Sequence, residues 1–258
     1  MSEAVLIETR PAAGVALLRL NRPAVLNALN LDLRQQLATA FGQLDADASV
    51  RCVVLAGSER AFCAGADLGE YVDAEPVEIL GRNMDRLWAA IADCRKPVVA
   101  AVRGHALGGG CELAMHADII VAGHSARFGQ PEVLIGLMPG GGATQRLTRA
   151  VGKYRAMQML LTGAAIPAQA AFNMGLVSEL VEDAAVEAQA LKLAGDIAAL
   201  PVTAVRFIKE AVLQSMNTSL DQGLQAERRS FQLLFSTPEK TEGIRARLEK
   251  RAPHFVQA

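Results

Sequence analysis

The sequence predicts an α/β fold closed by a helical segment, and three observations predict it. Short β-branched runs recur through residues 1 to about 180. Helical or glycine-rich stretches separate those runs, as expected for strand and helix units stacked on a sheet core. From about Asp183 onward the texture changes, and apolar residues fall at helical spacing.

In chain order, "AVLIET" (4–9), "GVALLRL" (14–20), "RCVVLAG" (51–57), "PVVAAV" (97–102) and "ADIIVAG" (117–123) read as strands. Between the last two, "GGGCELAMHAD" reads as a buried helix that runs into a buried strand. The four later segments "AAVEAQALKLAGDIAAL", "AVRFIKEAVLQSM", "LDQGLQAERRSFQLLF" and "PEKTEGIRARLEKR" read as helices broken by Gly, Pro or Thr-Pro. No low-complexity linker precedes them, so they are expected to pack on the core or on another subunit. The expected division is a core over residues 1–200 and a helical segment over 201–258.

A chain of 258 residues, 51% of them hydrophobic, can bury a large core. A formal net charge of -1 without long runs of either sign argues against a nucleic-acid groove and against a membrane-surface patch. No apolar run approaches the roughly 18 to 20 residues needed to cross a bilayer. Four cysteines without CxxC spacing, and an N-terminus "MSEAVLIETR" with no signal core, lead to the expectation of a reducing, cytoplasmic location. The four histidines show no HxH or HExxH spacing and no GxSxG elbow is present, so no metal site and no serine triad are expected. His105 is expected to be a hydrogen-bonded packing residue, and Cys63 and Cys111 small buried hydrophobes.

Three glycine-rich loops need a chemical reading: "FCAGADLGEY" (62–71), "HALGGGCEL" (105–113) and "MPGGGATQRL" (138–147). None carries a P-loop or a GxGxxG fingerprint. Glycine lets backbone amides approach a ligand or lets the chain adopt positive φ. If the first two loops end at one edge of the core, the N–H groups after Gly65 and within Gly108–Gly110 can converge on one point at a helix N-terminus, as an oxyanion hole requires. Tight turns in a packed fold would look the same. The carboxylates share that ambiguity: Glu112 lies in a first helical turn, and Glu132 follows Pro131 in a helix-start pattern. Complementing a helix dipole would lower each pKa, whereas catalytic use as an acid needs burial or a like charge to raise it.

The motifs "RLNRPAVLNALN", "AFCAGADL", "GHALGGGCELAMHADIIVAG", "FGQPEVLIGLMPGGGATQRLTRAVGK" and "AFNMGLVSELV" together resemble the enoyl-CoA hydratase/isomerase (crotonase) family, in order and over almost the whole chain. The resemblance implies a crotonase-like spiral of repeated ββα units with a C-terminal helical trimerisation segment, assembled as a trimer or a dimer of trimers. It implies an acyl-CoA thioester as partner, with coenzyme A carried by the substrate and no separate cofactor. By motif, the oxyanion N–H groups map to Ala66 and Gly109. Glu112 and Glu132 map to the pair that holds the water added at C3, with Glu132 donating the proton to C2. Isomerases of the family often keep only one of these glutamates, so the resemblance favours hydration of trans-2-enoyl-CoA.

The same resemblance suggests Val25, Leu26, Ala64, Asp67, Leu68 and Gly140 as coenzyme A or substrate contacts, with Phe231 and Lys250 supplied from a neighbouring subunit. The chain departs from the family pattern at Gly69, where many members carry Lys, and Arg60 is a candidate replacement. It also reads "PGGGATQ" for "PGAGGTQ", tolerable if Ala143 needs no positive φ. The acyl pocket falls to the variable segment 71–91 and the C-terminal helices, and Arg82 or Arg86 is a candidate partner for the far carboxylate of a dicarboxylyl chain such as 2,3-dehydroadipyl-CoA. Alternatives are a Δ3,Δ2-enoyl-CoA isomerase and a non-catalytic acyl-CoA- or RNA-binding relative; the Glu pair and the absence of a basic stripe oppose the latter.

Overall fold

The computed structural model describes residues 4–255. Two sheets are built in alternation. The larger contains β1 (Leu6–Ala12), β2 (Val15–Leu20), β3 (Cys52–Ala56), β5 (Val98–Val102), β7 (Ile119–Gly123) and β10 (Glu179–Val181), in that spatial order. The smaller contains β4 (Ala61–Cys63), β6 (His105–Leu107), β8 (Arg127–Gly129) and β9 (Ile166–Pro167). Only β1–β2 and β8–β9 are antiparallel; the remaining ladders are parallel. The pairs β3/β4, β5/β6 and β7/β8 each place one strand in each sheet before the chain turns into helix, which is the repeated ββα unit of a spiral.

The long strands are apolar without alternation because both faces are covered. One face carries Leu18, Leu20, Val53, Leu55, Val98 and Val102 into the main core. The other carries Val15, Leu17, Val54, Val99 and Val121 against α8 (Val186–Ala198), whose Ala190, Ala194 and Ala198 allow close approach. Helix α1 (Leu31–Ala46) begins where Asn30 accepts from the Leu33 N–H at 3.0 Å, and buries Leu33, Arg34, Leu37, Phe41 and Leu44. The chain then carries α2 (Pro76–Gly81), α3 (Met84–Ala92), α4 (Gly109–Met115), α5 (Ala143–Val151), α6 (Lys153–Thr162) and α7 (Ala168–Asn173).

Three helices follow α8: α9 (Val202–Ser215), α10 (Leu220–Leu234) and α11 (Pro238–Leu248). Pro201 and Thr237-Pro238 mark the starts of α9 and α11, as the sequence predicts, and Ser219 caps α10 by accepting from the Gln222 N–H. No residue of α9 or α10 is buried within the chain, although Leu220 is 77%, Ile208 63% and Phe231 60% exposed. Lys209 ties α9 to the core through Asp118 at 2.7 Å and the Lys96 carbonyl at 2.8 Å. Among the described residues no helix is long and apolar enough to cross a membrane.

Candidate active site

The site forms where the smaller sheet feeds its helices. Strand β6 ends at Leu107, Gly108 takes φ 50° and ψ -126°, and α4 starts at Gly109. A side chain on Gly108 would meet two obstacles. The backbone conformation disfavours one, and a Cβ would lie 2.7 Å from Glu132 Oε1. Gly110 is fixed by proximity instead: a Cβ there would lie 2.0 Å from the Cys63 carbonyl oxygen, so β4 and α4 meet backbone to backbone.

That approach brings the two expected amides together. A Cβ on Gly109 would sit 3.7 Å from Ala66 N, and one on Gly65 would sit 3.7 Å from Gly109 N. Ala66 stands in a bridge to Leu29 whose hydrogen bonds run from Leu29 N–H to Gly65 O (2.7 Å) and from Asp67 N–H to Leu29 O (3.1 Å). The Ala66 N–H itself is therefore left without a protein acceptor among the described residues, and so is that of Gly109 at the open end of α4. Two adjacent free donors at a helix start can stabilise a developing oxyanion.

Glu112, on the first turn of α4, is buried and 3% exposed. Its Oε1 accepts from the N–H groups of Gly141 (2.7 Å) and Ala143 (3.0 Å), and Oε2 has no protein donor among the described residues. Burial raises its pKa; the Ala143 and Gly141 amides, the Arg34 guanidinium and the Gly142 amide oppose that rise without reversing it. Glu132 lies in the first turn of a 3-10 helix, Pro131–Ile135, which starts at the Pro-acid pattern as the sequence predicts and stops at Gly136. Its Oε2 is buried with no partner, as are both polar atoms of the neighbouring Gln130. Burial, with a contribution from the Glu112 charge, raises Glu132 to about 6. Dipole complementation predicted lowered values; desolvation prevails at both glutamates.

The enoyl-CoA hydratase/isomerase family model matches residues 10–258. The chain belongs to that family. It is 46% identical over 258 residues to a probable enoyl-CoA hydratase of Rhizobium meliloti, covering 98% of each chain. It is 45% identical to the 2,3-dehydroadipyl-CoA hydratase of Escherichia coli, over 93% of this chain and 94% of that one. The crystal structure of an enoyl-CoA hydratase from Bacillus anthracis superposes with a TM-score of 0.94 at 34% identity, over 99% of this chain and all (100%) of that one.

The remaining positions suggested by the enoyl-CoA hydratase/isomerase resemblance divide into two groups. Val25, Leu26, Ala64, Asp67 and Leu68 lie on two loops joined by the Ala64 N–H to Leu26 O bond at 3.0 Å and by the Leu29 bonds above. The Arg22 guanidinium donates to the Asp67 carboxylate through both terminal nitrogens at 3.1 Å, so that carboxylate anchors the loops. Gly140 adjoins the Gly141 amide that holds Glu112. Phe231 and Lys250 stand apart: Phe231 packs edge-on against Phe235 at 5.2 Å, Lys250 follows α11, and no hydrogen bond or ion pair among the described residues ties either to the loops.

Gly142, not Ala143, takes the positive φ before α5, so the Gly/Ala exchange is accommodated. Arg60 is exposed at the β3–β4 turn. Arg82 is engaged by Glu78 (2.6 Å), the Glu70 carbonyl (2.6 Å) and the Tyr71 ring; Arg86 is exposed beside it in a cavity of about 940 Å³ that also carries Glu70, Asp73 and Glu78. Cys63 and Cys111 are fully buried, and burial pushes both thiols up to about 12. The expectation for His105 is corrected, because it is exposed on β6. His116 is the packing histidine: it is buried, and its Nδ1 donates to the Glu112 carbonyl at 2.8 Å.

Proposed function

We propose that the chain hydrates trans-2-enoyl-CoA thioesters to 3-hydroxyacyl-CoA. The observation that carries this reading is the presence of two partly or fully buried carboxyl groups of raised pKa, Glu112 and Glu132, beside the unpaired Ala66 and Gly109 amides. The thioester oxygen sits between those amides, which stabilise the enolate formed when water oxygen bonds to C3. Loss of one such donor typically costs roughly 3 to 4 kcal/mol of transition-state stabilisation. Glu112, fixed through Oε1, offers Oε2 to the water. Glu132, held near 6 by burial, donates a proton to C2 and recovers one from that water, so the protein ends unchanged. The two carboxyls titrate as a coupled pair.

Water supplies both the hydroxyl at C3 and, through Glu132, the proton at C2, and no oxidation or group transfer occurs, so the scheme uses no cofactor beyond the coenzyme A of the substrate. The paired loops carrying Val25, Leu26, Ala64, Asp67 and Leu68 are the proposed coenzyme A contact, completed by Phe231 and Lys250 of a neighbouring copy. Residues 1–200 then bear the chemistry and 201–258 the assembly. Four buried, unpaired cysteines suit a reducing cytoplasm. The reading is tested by product analysis with crotonyl-CoA, a longer 2-enoyl-CoA, a dicarboxylyl 2-enoyl-CoA and a 3-enoyl-CoA. A 3-hydroxyacyl product from the 2-enoyl substrates is expected; conversion of the 3-enoyl substrate alone would replace hydration by isomerisation.

A further inference from the structure

Behind Glu112 lies a column of three side chains from three helices. The Arg34 guanidinium, on α1, lies over the indole of Trp88, on α3, at 5.3 Å. The other partner of that indole is the His116 ring, at the end of α4, stacked at 4.8 Å and 16°. Glu112 meets this column directly at its carbonyl and through Gly141 at its carboxylate. His116 Nδ1 holds its carbonyl at 2.8 Å, and the Gly141 amide that holds its carboxylate is backed by Trp88, because a Cβ on Gly141 would lie 2.7 Å from the indole and 2.6 Å from Glu112 Oε2. Arg34 is 7% exposed, and the one hydrogen bond of its side chain among the described residues runs from Nε to Leu29 O at 3.4 Å. Its Nη2 lies 3.6 Å from the position a Gly109 Cβ would take, on the oxyanion side of α4.

A buried cation with so few acceptors is expensive unless charge opposes it. The charged and titratable groups around this column and Glu112 are Tyr71, Cys63, Glu112 and Glu70, which act on Arg34; Cys111 and Glu132, which couple to Glu112; and Arg146 from α5, which acts on His116. Burial, helped by Arg146, lowers His116 to about 4, so at neutral pH it is an uncharged donor. The thiols stay protonated. Arg34 is thus the cation whose charge favours the ionised Glu112 carboxylate, without a direct ion pair between them among the described residues.

We propose that Arg34, Trp88 and His116 form a stacked support that holds the Glu112 carboxylate against the Gly141 and Ala143 amides and sets a positive charge opposite it, Arg34 acting as a positioning residue. This rests on the hydratase reading for its kinetic consequence, but not for its structural one. The test compares Arg34→Met and Arg34→Lys with the wild type in three readouts: emission of Trp88, the only tryptophan in the chain, NMR titration of carboxyl-labelled glutamate, and the pH profile of kcat/KM with crotonyl-CoA. In Arg34→Met the Glu112 titration and the acid limb of the profile should move to higher pH, with roughly a tenfold or greater loss of kcat/KM at pH 7. Arg34→Lys, keeping the charge, should restore the limb toward wild type while Trp88 emission stays altered. An Arg34→Met protein that titrates and turns over like wild type would overturn the proposal. If the wild type hydrates nothing, the NMR titration still decides whether Arg34 acts on Glu112, and only the hydratase reading falls.

Discussion

At Glu132 a half-buried carboxyl with one undonated oxygen titrates at about 6, against 4.5 for an ordinary glutamate, so its ionisation disfavours the folded state. Below about pH 4.5 the group is protonated in both states and contributes nothing. Between about 4.5 and 6 the penalty accumulates, and above 6 it is fully present. Glu132→Gln should therefore stabilise the protein at pH 7 by roughly 1 kcal/mol, after discounting for partial exposure, and by nothing near pH 4. Urea denaturation at the two pH values measures this; an equal effect at both would contradict it. The same variant should lose activity, a trade expected where a site stores unfavourable electrostatics. Gly108→Ala attacks the neighbouring oxygen, and its strained φ should cost about 1 to 3 kcal/mol in thermal melts along with most of the turnover.

Among elements, the contact of β4 with α4 positions the oxyanion pair. Gly110→Ala would drive a Cβ to 2.0 Å from backbone, which only separation of the two elements can relieve. A loss of roughly 2 to 4 kcal/mol in denaturant midpoints is expected, with a wild-type melting curve as the contrary result. The sequence discloses the long strands because four or five consecutive buried residues, nearly all apolar, are an unmistakable run. It conceals β4, β6, β8, β9 and β10, whose two or three residues show no period, so "HALGGGCEL" reads as one loop where a strand and a helix meet. A Pro followed by an acid marks 3-10 and α starts alike, and Gly136 alone cuts the turn after Ile135. Motif order singles out Glu112, Glu132, Ala66 and Gly109, the residues of the proposed site. The stack behind Glu112 was not legible, because its members come from three separate helices. One signal was present: Arg34 occupies the 34, 37, 41, 44 stripe that α1 otherwise fills with Leu37, Phe41 and Leu44.

Over the whole molecule, the exposed apolar residues of α9 and α10 leave a surface of Ile208, Val212, Leu220, Leu224 and Phe231 that a lone chain cannot cover. The proposed assembly in threes or sixes would cover it and would bring a neighbour's Phe231 and Lys250 to the loops proposed to hold coenzyme A. Sedimentation equilibrium should give three or six times the mass of one chain, and Ile208→Glu with Leu220→Glu should shift it toward one; a wild-type monomer would contradict this. The central claim is that two glutamates hydrate a thioester held by two amides. It is tested most directly by the loss of conjugated-thioester absorbance of crotonyl-CoA with wild type, Glu112→Gln and Glu132→Gln, each checked for folding by circular dichroism. Rapid loss with wild type and at least a roughly 100-fold slower loss with each variant is the result predicted. A folded variant of either glutamate that hydrates crotonyl-CoA at the wild-type rate would contradict the account.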